Sequence, residues 1–355
     1  MIHRSALKVV QVPSIQDPIK PSPGFAKKLL SDYKLDVLGL CGFGCRYCSS
    51  NLGNYLRIRQ AEFAKQTEEQ LGERLLPAED PGLTFEWSDI VTNLEKQLAS
   101  KPKGWGRGQT LVFSMLTDGF SPRMVASGTT KNALELLLEK TSFRVRVLTK
   151  SAAVGCSEWI SFFARNRERF VVGLSIGTLD DSWAKSIEVG TSPPTARLRA
   201  LHRLQDAGVP TFGMLCPAFP DLIESDGVGQ LVDEIRPELV EHVWAEPFND
   251  RANWKAVRAG YSDASFGYEW FTRVYEQGQK REWSRYATDL YTQLRVRAER
   301  AGWLHKLRYL LYELEITERD SEHFRGLRGV LLQSKGDAVT GLSQNPFIRR
   351  VQERS

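Results

Sequence analysis

Short apolar, β-branched runs punctuate the chain at residues 35–40, 110–115, 145–149, 170–176, 209–215 and 240–245. Each has the length of a buried strand. Between them apolar residues return every three or four positions, the spacing of helices. One helix is predicted at 89–99, opened by Ser88. A second, at 131–140, is capped from Thr129 or Thr130 and carries Ala133, Leu134, Leu137 and Leu138 on one face. A third covers 156–165. A fourth, at 195–207, is closed by Gly208, where a left-handed residue ends a helix without strain. A fifth, at 231–235, stops before Pro237. Strand and helix in alternation, repeated six times, imply parallel strands joined by helical crossovers. Periodicity alone leaves an open doubly wound sheet and a complete or partial barrel of the TIM type equally available.

The flanks differ from this core. Residues 1–33, with Pro13, Pro18, Pro21 and Pro23, read as an irregular N-terminal arm. The repeating core occupies 34–252, interrupted at 51–108 by an insertion long enough for two helices. From 253 to 355 the chain becomes aromatic and basic, with long helices predicted at 283–300 and 303–314.

Composition and charge narrow the picture only slightly. Hydrophobic residues make up 41% and charged residues 26%, the profile of a globular protein with a substantial core. No run approaches the roughly 20 apolar residues of a membrane span. The first residues lack the apolar stretch of a secretion signal, so a cytoplasmic location with no membrane partner is expected. The net charge of +5 is uneven: residues 271–355 hold 16 Lys+Arg against 11 Asp+Glu, and the first 270 residues balance. Such a surplus suits a polyanionic partner, although solvated helices carry similar surpluses.

The chemistry concentrates in one segment. Of five cysteines, three fall within eight residues, Cys41-Gly42-Phe43-Gly44-Cys45-Arg46-Tyr47-Cys48, directly after the first predicted strand. An odd count with this clustering is not a disulfide framework; it suits metal or redox chemistry. Three close thiolates can converge on one inorganic centre, and Gly42 and Gly44 let the backbone wrap it. A structural zinc site takes four ligands, and no histidine or fourth cysteine lies nearby. A cubane held by three cysteines leaves one iron open for an exogenous ligand. The alternative readings are a zinc site completed from a distance or a chance cluster of thiols.

This C-x3-C-x2-C triplet, with Tyr47 between its second and third cysteines, closely resembles that of the radical S-adenosylmethionine superfamily. The resemblance implies a partial (β/α)6 barrel with a helical C-terminal extension, and a [4Fe-4S] cluster on Cys41, Cys45 and Cys48. It further implies S-adenosylmethionine bound at the open iron, cleavage to a 5′-deoxyadenosyl radical, and hydrogen abstraction from substrate. An external one-electron reductant such as flavodoxin or ferredoxin would feed the cluster. Four later segments are similar to the DNA repair photolyase group, relatives of spore photoproduct lyase: Leu116-Thr117-Asp118-Gly119-Phe120-Ser121-Pro122, Val147-Leu148-Thr149-Lys150-Ser151, Val172-Gly173-Leu174-Ser175-Ile176-Gly177-Thr178-Leu179-Asp180 and Ala245-Glu246-Pro247-Phe248-Asn249. Each lies at the C-terminal end of a predicted strand, where parallel α/β folds build their sites.

Residue chemistry suggests roles within that resemblance. Thr117 and Asp118 can accept from the methionyl ammonium, and Lys150 can pair with its carboxylate. Ser175 and Thr178 can reach ribose hydroxyls or the carboxylate, and Tyr47 can lie against cluster or adenosine. Glu246 faces cofactor or substrate at the barrel mouth. A Thr-Asp pair after a strand is also an ordinary helix-entry cap. Two departures count against thymine-dimer reversal as such. Residues 113–116 contain no cysteine where that group returns hydrogen to the product radical, and Ser49 stands where it has tyrosine. Cys216, after the fifth strand, can project into the barrel mouth as a substitute hydrogen donor, or else is an ordinary buried cysteine.

Substrate is less legible. Trp283, Arg285, Tyr286, Arg295, Arg297, Arg300, Trp303, His305, Lys306, Arg308 and Tyr309 interleave aromatics with bases. This serves base stacking with phosphate contacts, or else marks an amphipathic helical cap. A nucleic-acid base is the favoured substrate. A peptide or protein maturase and a non-enzymatic iron–sulfur redox sensor are the alternatives.

Overall fold

The computed structural model describes residues 8–50, 54–77, 80–224, 226–312 and 316–333. Its strands, in chain order, are β1 (Val9–Val12), β2 (Lys20–Pro21), β3 (Tyr33–Leu35), β4 (Leu38–Leu40), β5 (Thr84–Trp87), β6 (Thr110–Phe113), β7 (Arg144–Thr149), β8 (Phe170–Ser175), β9 (Thr211–Ala218), β10 (Val240–Pro247), β11 (Leu307–Tyr312) and β12 (Val330–Gln333). Nine of them form one sheet in the order β12-β11-β10-β9-β8-β7-β6-β3-β2. From β3 to β12 every pairing is parallel; β2 alone runs antiparallel, at one edge.

This order decides between the two architectures. A doubly wound sheet reverses its strand order at a switch point. Here the order advances steadily from β3 to β12, so right-handed crossovers stack the helices on one face and curl the sheet the other way. The crossovers are the helices Thr129–Lys140, Ser157–Arg165, Pro194–Asp206, Gly227–Glu234 and Lys280–Arg300. Strand β8 is buried along its whole length: Val172 and Leu174 pack on the helical layer, and Val171 joins Phe212, Met214, Trp244 and Leu310 inside the curl. The edges β2 and β12 do not pair with each other, so among the described residues the barrel is partial and open.

A second sheet of three strands, β1-β5-β4, sits beside it. There β1, from the arm, is parallel to β5, from the insertion, and β4 is antiparallel to β5. Val10, Val12, Leu40, Phe63, Leu83 and Phe85 make its core. The insertion carries the helices Asn54–Leu71 and Ile90–Ala99.

Three expectations change. The strand predicted at 35–40 divides between the two sheets as β3 and β4. The arm is not irregular throughout: it supplies β1, β2 and a short helix, Pro23–Ala26. Leu30 then packs inside the barrel with Trp244 and Phe212, the Trp244 indole donates to the Lys28 carbonyl at 3.2 Å, and Arg146 donates to the carbonyls of Leu29 and Leu30. The helix predicted at 303–314 is instead a short 3-10 turn, Leu304–Lys306, followed by β11. The extension thus adds two strands, as well as the helix Lys280–Arg300, to the six-strand repeat. Its aromatics Trp283, Tyr286, Trp303 and Tyr309 are buried, Arg297 pairs with Asp233, and Arg295 pairs with Glu299. That stripe packs on the barrel and offers no stacking platform.

Candidate active site

Strand β4 ends at Leu40, so Cys41 leaves the small sheet at the mouth of the barrel. The loop that follows is locked from two sides. Gly44 has φ +57°, and a Cβ there would lie 2.3 Å from the Pro81 Cβ. The Arg46 N–H donates to the Ile187 carbonyl at 2.8 Å, and the Gly190 N–H donates to Phe43 at 2.9 Å. Cys45 and Glu188 form an isolated β-bridge. Cys41 and Cys45 are buried, Cys48 is half-buried, and all three are free thiols. They open on one cavity of about 250 Å³, shared with Tyr47, Lys150, Ser175, Cys216 and Glu246.

Burial first, then the neighbouring Cys48 and Asp118, pushes the Cys41 thiol up to about 12. Burial likewise raises Cys45 well above the usual thiol value. Thiolates in such surroundings need a cationic partner, as a metal centre provides. Among the described residues, no group of three His, Cys, Asp or Glu side chains is gathered as around a single ion. The donor set nevertheless fits a multi-iron centre. Three unpaired cysteines share one cavity, and the loop is too tight at Gly44 for a side chain.

Two residues not singled out from the sequence organise this end. The Tyr47 hydroxyl donates to Glu188, which also takes the Arg197 guanidinium. Arg197 is fully buried. It donates further to the Ser192 carbonyl at 2.7 Å and to the Ser175 carbonyl at 2.6 Å. The chain of contacts runs from the cysteine loop to the end of β8. The Lys150 ammonium lies 5.4 Å from the Tyr47 ring centroid. Burial opposes its charge, but Cys45 and Glu188 outweigh this and raise its pKa.

Asp118 and Thr117 also line the cavity, and both are bonded to neighbouring elements. Asp118 is buried, and its carboxylate accepts from the Thr149 hydroxyl at 2.8 Å, the Lys150 N–H at 2.8 Å and the Phe120 N–H at 2.9 Å. It therefore ties the segment after β6 to the end of β7 and fixes the backbone at Lys150. Burial raises its pKa despite these donors. Thr117 donates to Asp36, which also accepts the Leu116 N–H at 2.9 Å. Asp36 is the third residue that sequence reasoning passed over. Thr178 is buried and accepts the Asp180 N–H at 3.1 Å; it does not line the cavity. The Ser175 hydroxyl donates to the Cys216 carbonyl at 2.8 Å.

The far wall belongs to β9 and β10. The Cys216 Sγ lies 3.5 Å from a Glu246 carboxylate oxygen, with Met115 and Leu148 against the same inner cluster. Burial, then Glu246, raises this thiol far above its ordinary value. Lys28, from the arm, stands 4.0 Å from Glu246. Beneath them Tyr286 ties the two strands: its hydroxyl donates to the Ala218 carbonyl and accepts the Phe248 N–H at 2.6 Å.

The advancing parallel sheet, curled so that its strand ends meet a three-cysteine loop, is similar in fold to solved structures of spore photoproduct lyase. Two solved structures of spore photoproduct lyase variants each cover 82% of this chain and 79% of their own. One is 14% identical with a TM-score of 0.52; the other, bound to dinucleoside spore photoproduct, is 16% identical with a TM-score of 0.51. An uncharacterized protein of Acidianus two-tailed virus is 24% identical over 164 residues, 45% of this chain. The chain spans about half the length of that curated relative, 52%. No protein-family model matches the chain. Among the described residues no helix is long and apolar enough to cross a membrane.

Proposed function

We propose that this chain is a radical S-adenosylmethionine enzyme that holds a [4Fe-4S] cluster on Cys41, Cys45 and Cys48 and acts on a nucleic-acid base. The observation that carries the reading is the cavity itself: three free thiols of one loop and the strand-end groups Lys150, Ser175, Cys216 and Glu246 face the same space. When bound, the cluster supplies the electron that splits S-adenosylmethionine into methionine and a 5′-deoxyadenosyl radical, the species that takes hydrogen from substrate.

The chain's own residues prepare that event. Lys150, raised in pKa and with its backbone held by Asp118, pairs with the methionyl carboxylate. Tyr47, held by Glu188, walls the cofactor side and excludes water. Cys216, kept as S–H by burial and by Glu246, returns a hydrogen atom on the substrate side. An external flavodoxin or ferredoxin delivers electrons. Support for a base as substrate is the fold shared with spore photoproduct lyase.

The test is anaerobic reconstitution with iron and sulfide, then dithionite and S-adenosylmethionine. Wild-type protein is expected to release 5′-deoxyadenosine and Cys45→Ala none. Equal release from both, or none from wild type, overturns the proposal.

A further inference from the structure

The cysteine loop and the strand ends occupy one rim of the barrel. The opposite rim, where the strands begin, gathers cations that the chemistry above does not use. Arg146 on β7 is the register partner of Val171, an inward-facing residue, so its side chain enters the lumen from the same face. It crosses to β10, where its guanidinium carbon lies 5.0 Å from the Trp244 ring centroid. The His242 ring lies 5.1 Å from the same indole. Arg308, on β11, is the register partner of Trp244 and shares its face.

A bulge crowds these groups together. Strand β10 advances from Val240 to Val243 while β9 advances only from Thr211 to Gly213. The extra residue breaks the alternation at Glu241 and His242. Glu241 reaches across to take the Arg144 guanidinium of β7, with one of the two bonds at 2.9 Å.

The positive charge here is answered incompletely. Glu241 is engaged by Arg144. Asp32, the other acid near Arg146, accepts the Thr110 N–H at 2.8 Å and the Thr110 hydroxyl at 3.1 Å. Arg146 is 7% exposed and donates only to the backbone carbonyls of Leu29 and Leu30 among the described residues. Its Nε and the His242 Nδ1 are buried atoms with no hydrogen-bond partner among the described residues. A guanidinium keeps its charge when buried, and a buried charge without a counter-ion is costly. His242 stays neutral in this company: burial, then Arg308, Arg146, Arg144 and Lys306, lowers it to about 3. His242, Arg144, Glu241 and Lys306 are half-buried, so a solvent ion reaches the rim, with Arg146 and Arg308 buried behind it.

We infer that this rim is an anion site, in which Arg146, Arg308 and His242 hold a small tetrahedral oxyanion, sulfate or a phosphate group. The anion supplies the missing negative charge and an acceptor for the orphaned nitrogens. It also removes the reason for His242 to stay neutral, so binding takes up a proton at that ring. Arg146 precedes Lys150 by four residues, as His242 precedes Glu246, about 13 Å along a strand. The site is therefore separate from the cysteine cavity and does not depend on the radical reading.

The test titrates the full, cluster-reconstituted chain calorimetrically with sulfate, at constant ionic strength. Wild type is expected to bind one sulfate about tenfold more tightly at pH 5 than at pH 7, the gain when an imidazole is returned to near its ordinary value on binding. His242→Gln is expected to remove that pH dependence. Arg146→Gln is expected to weaken binding about tenfold at both pH values. His242→Gln, at the half-buried rim, carries the test if Arg146→Gln does not fold. Inorganic phosphate and methyl phosphate, compared in wild type and His242→Gln, separate the two sources of the ligand. Tighter binding of the ester assigns the site to a phosphate carried on a larger molecule, and tighter binding of the inorganic ion to a free oxyanion. No sulfate binding by wild type overturns the inference. So does a pH dependence that survives in His242→Gln, or an affinity indifferent to a folded Arg146→Gln.

Discussion

Arg197 and Glu188 are both buried and bonded to each other beneath the cysteine loop, which makes their pair the most informative place to perturb the molecule. Replacing Arg197 with Met leaves the Glu188 charge in a dry environment, an outcome worth about 3–5 kcal/mol. The Ser175 and Ser192 carbonyls, which accept from Arg197 at 2.6 and 2.7 Å, lose their donors at about 1 kcal/mol each. Glu188→Gln leaves the guanidinium uncompensated instead, again at about 3–5 kcal/mol, but keeps an acceptor for Tyr47. The double variant removes both charges together. Its cost is expected to fall short of the sum of the singles by at least about 2 kcal/mol. Urea unfolding of the metal-free protein, followed by fluorescence of its nine tryptophans, supplies the four free energies. Iron per chain after reconstitution is the second readout, because Glu188 forms the β-bridge to Cys45. Strictly additive singles, or singles each below about 1 kcal/mol, would refute the reasoning.

Two further outcomes follow from buried groups. His242 is lowered to about 3 by burial and then by Arg308, Arg146, Arg144 and Lys306. Its imidazole is thus neutral in the native state, and the stabilising contribution is complete above the unfolded value near 6.5 and is lost as pH falls toward 3, by about 1.4 kcal/mol per unit. Wild type is expected to lose about 2 kcal/mol relative to His242→Gln between pH 7 and pH 5, and parallel pH profiles by urea unfolding would refute this. Tyr286→Phe strips the Ala218 carbonyl and the Phe248 N–H of their buried partner, at about 2–4 kcal/mol. A variant within about 0.5 kcal/mol of wild type in the same assay would show that water or another group replaces the hydroxyl.

The parts legible in the sequence were those with a local signal. The strands β6 to β10 announced themselves as isolated β-branched runs, and the cysteine triplet by its spacing. Partnership across the chain was not legible. Leu304, Leu307, Leu310 and Leu311 satisfy helical spacing as readily as a buried strand, and only the waiting edge of β10 makes 307–312 a strand. Glu188 and Arg197 look like ordinary surface charges nine residues apart until Tyr47 and Ser175 are brought to them. Asp118 was read as a ligand for an ammonium because its sequence position is right. Its oxygens accept from Thr149, Lys150 and Phe120 while the residue lines the cavity, a partnership across β6 and β7 that left no mark in the sequence.

Lys28 lies in the first tenth of the chain, whereas Glu246 and Tyr312, which receive it, come late. During synthesis the arm leaves the ribosome long before β10 and β11 exist to enclose it. Leu30 and its neighbours must wait in contact with solvent or a chaperone. Closure of the lumen is consequently a final event that depends on contacts of very long sequence separation. Until it occurs, the nascent polypeptide has a complete cysteine loop but no finished chamber.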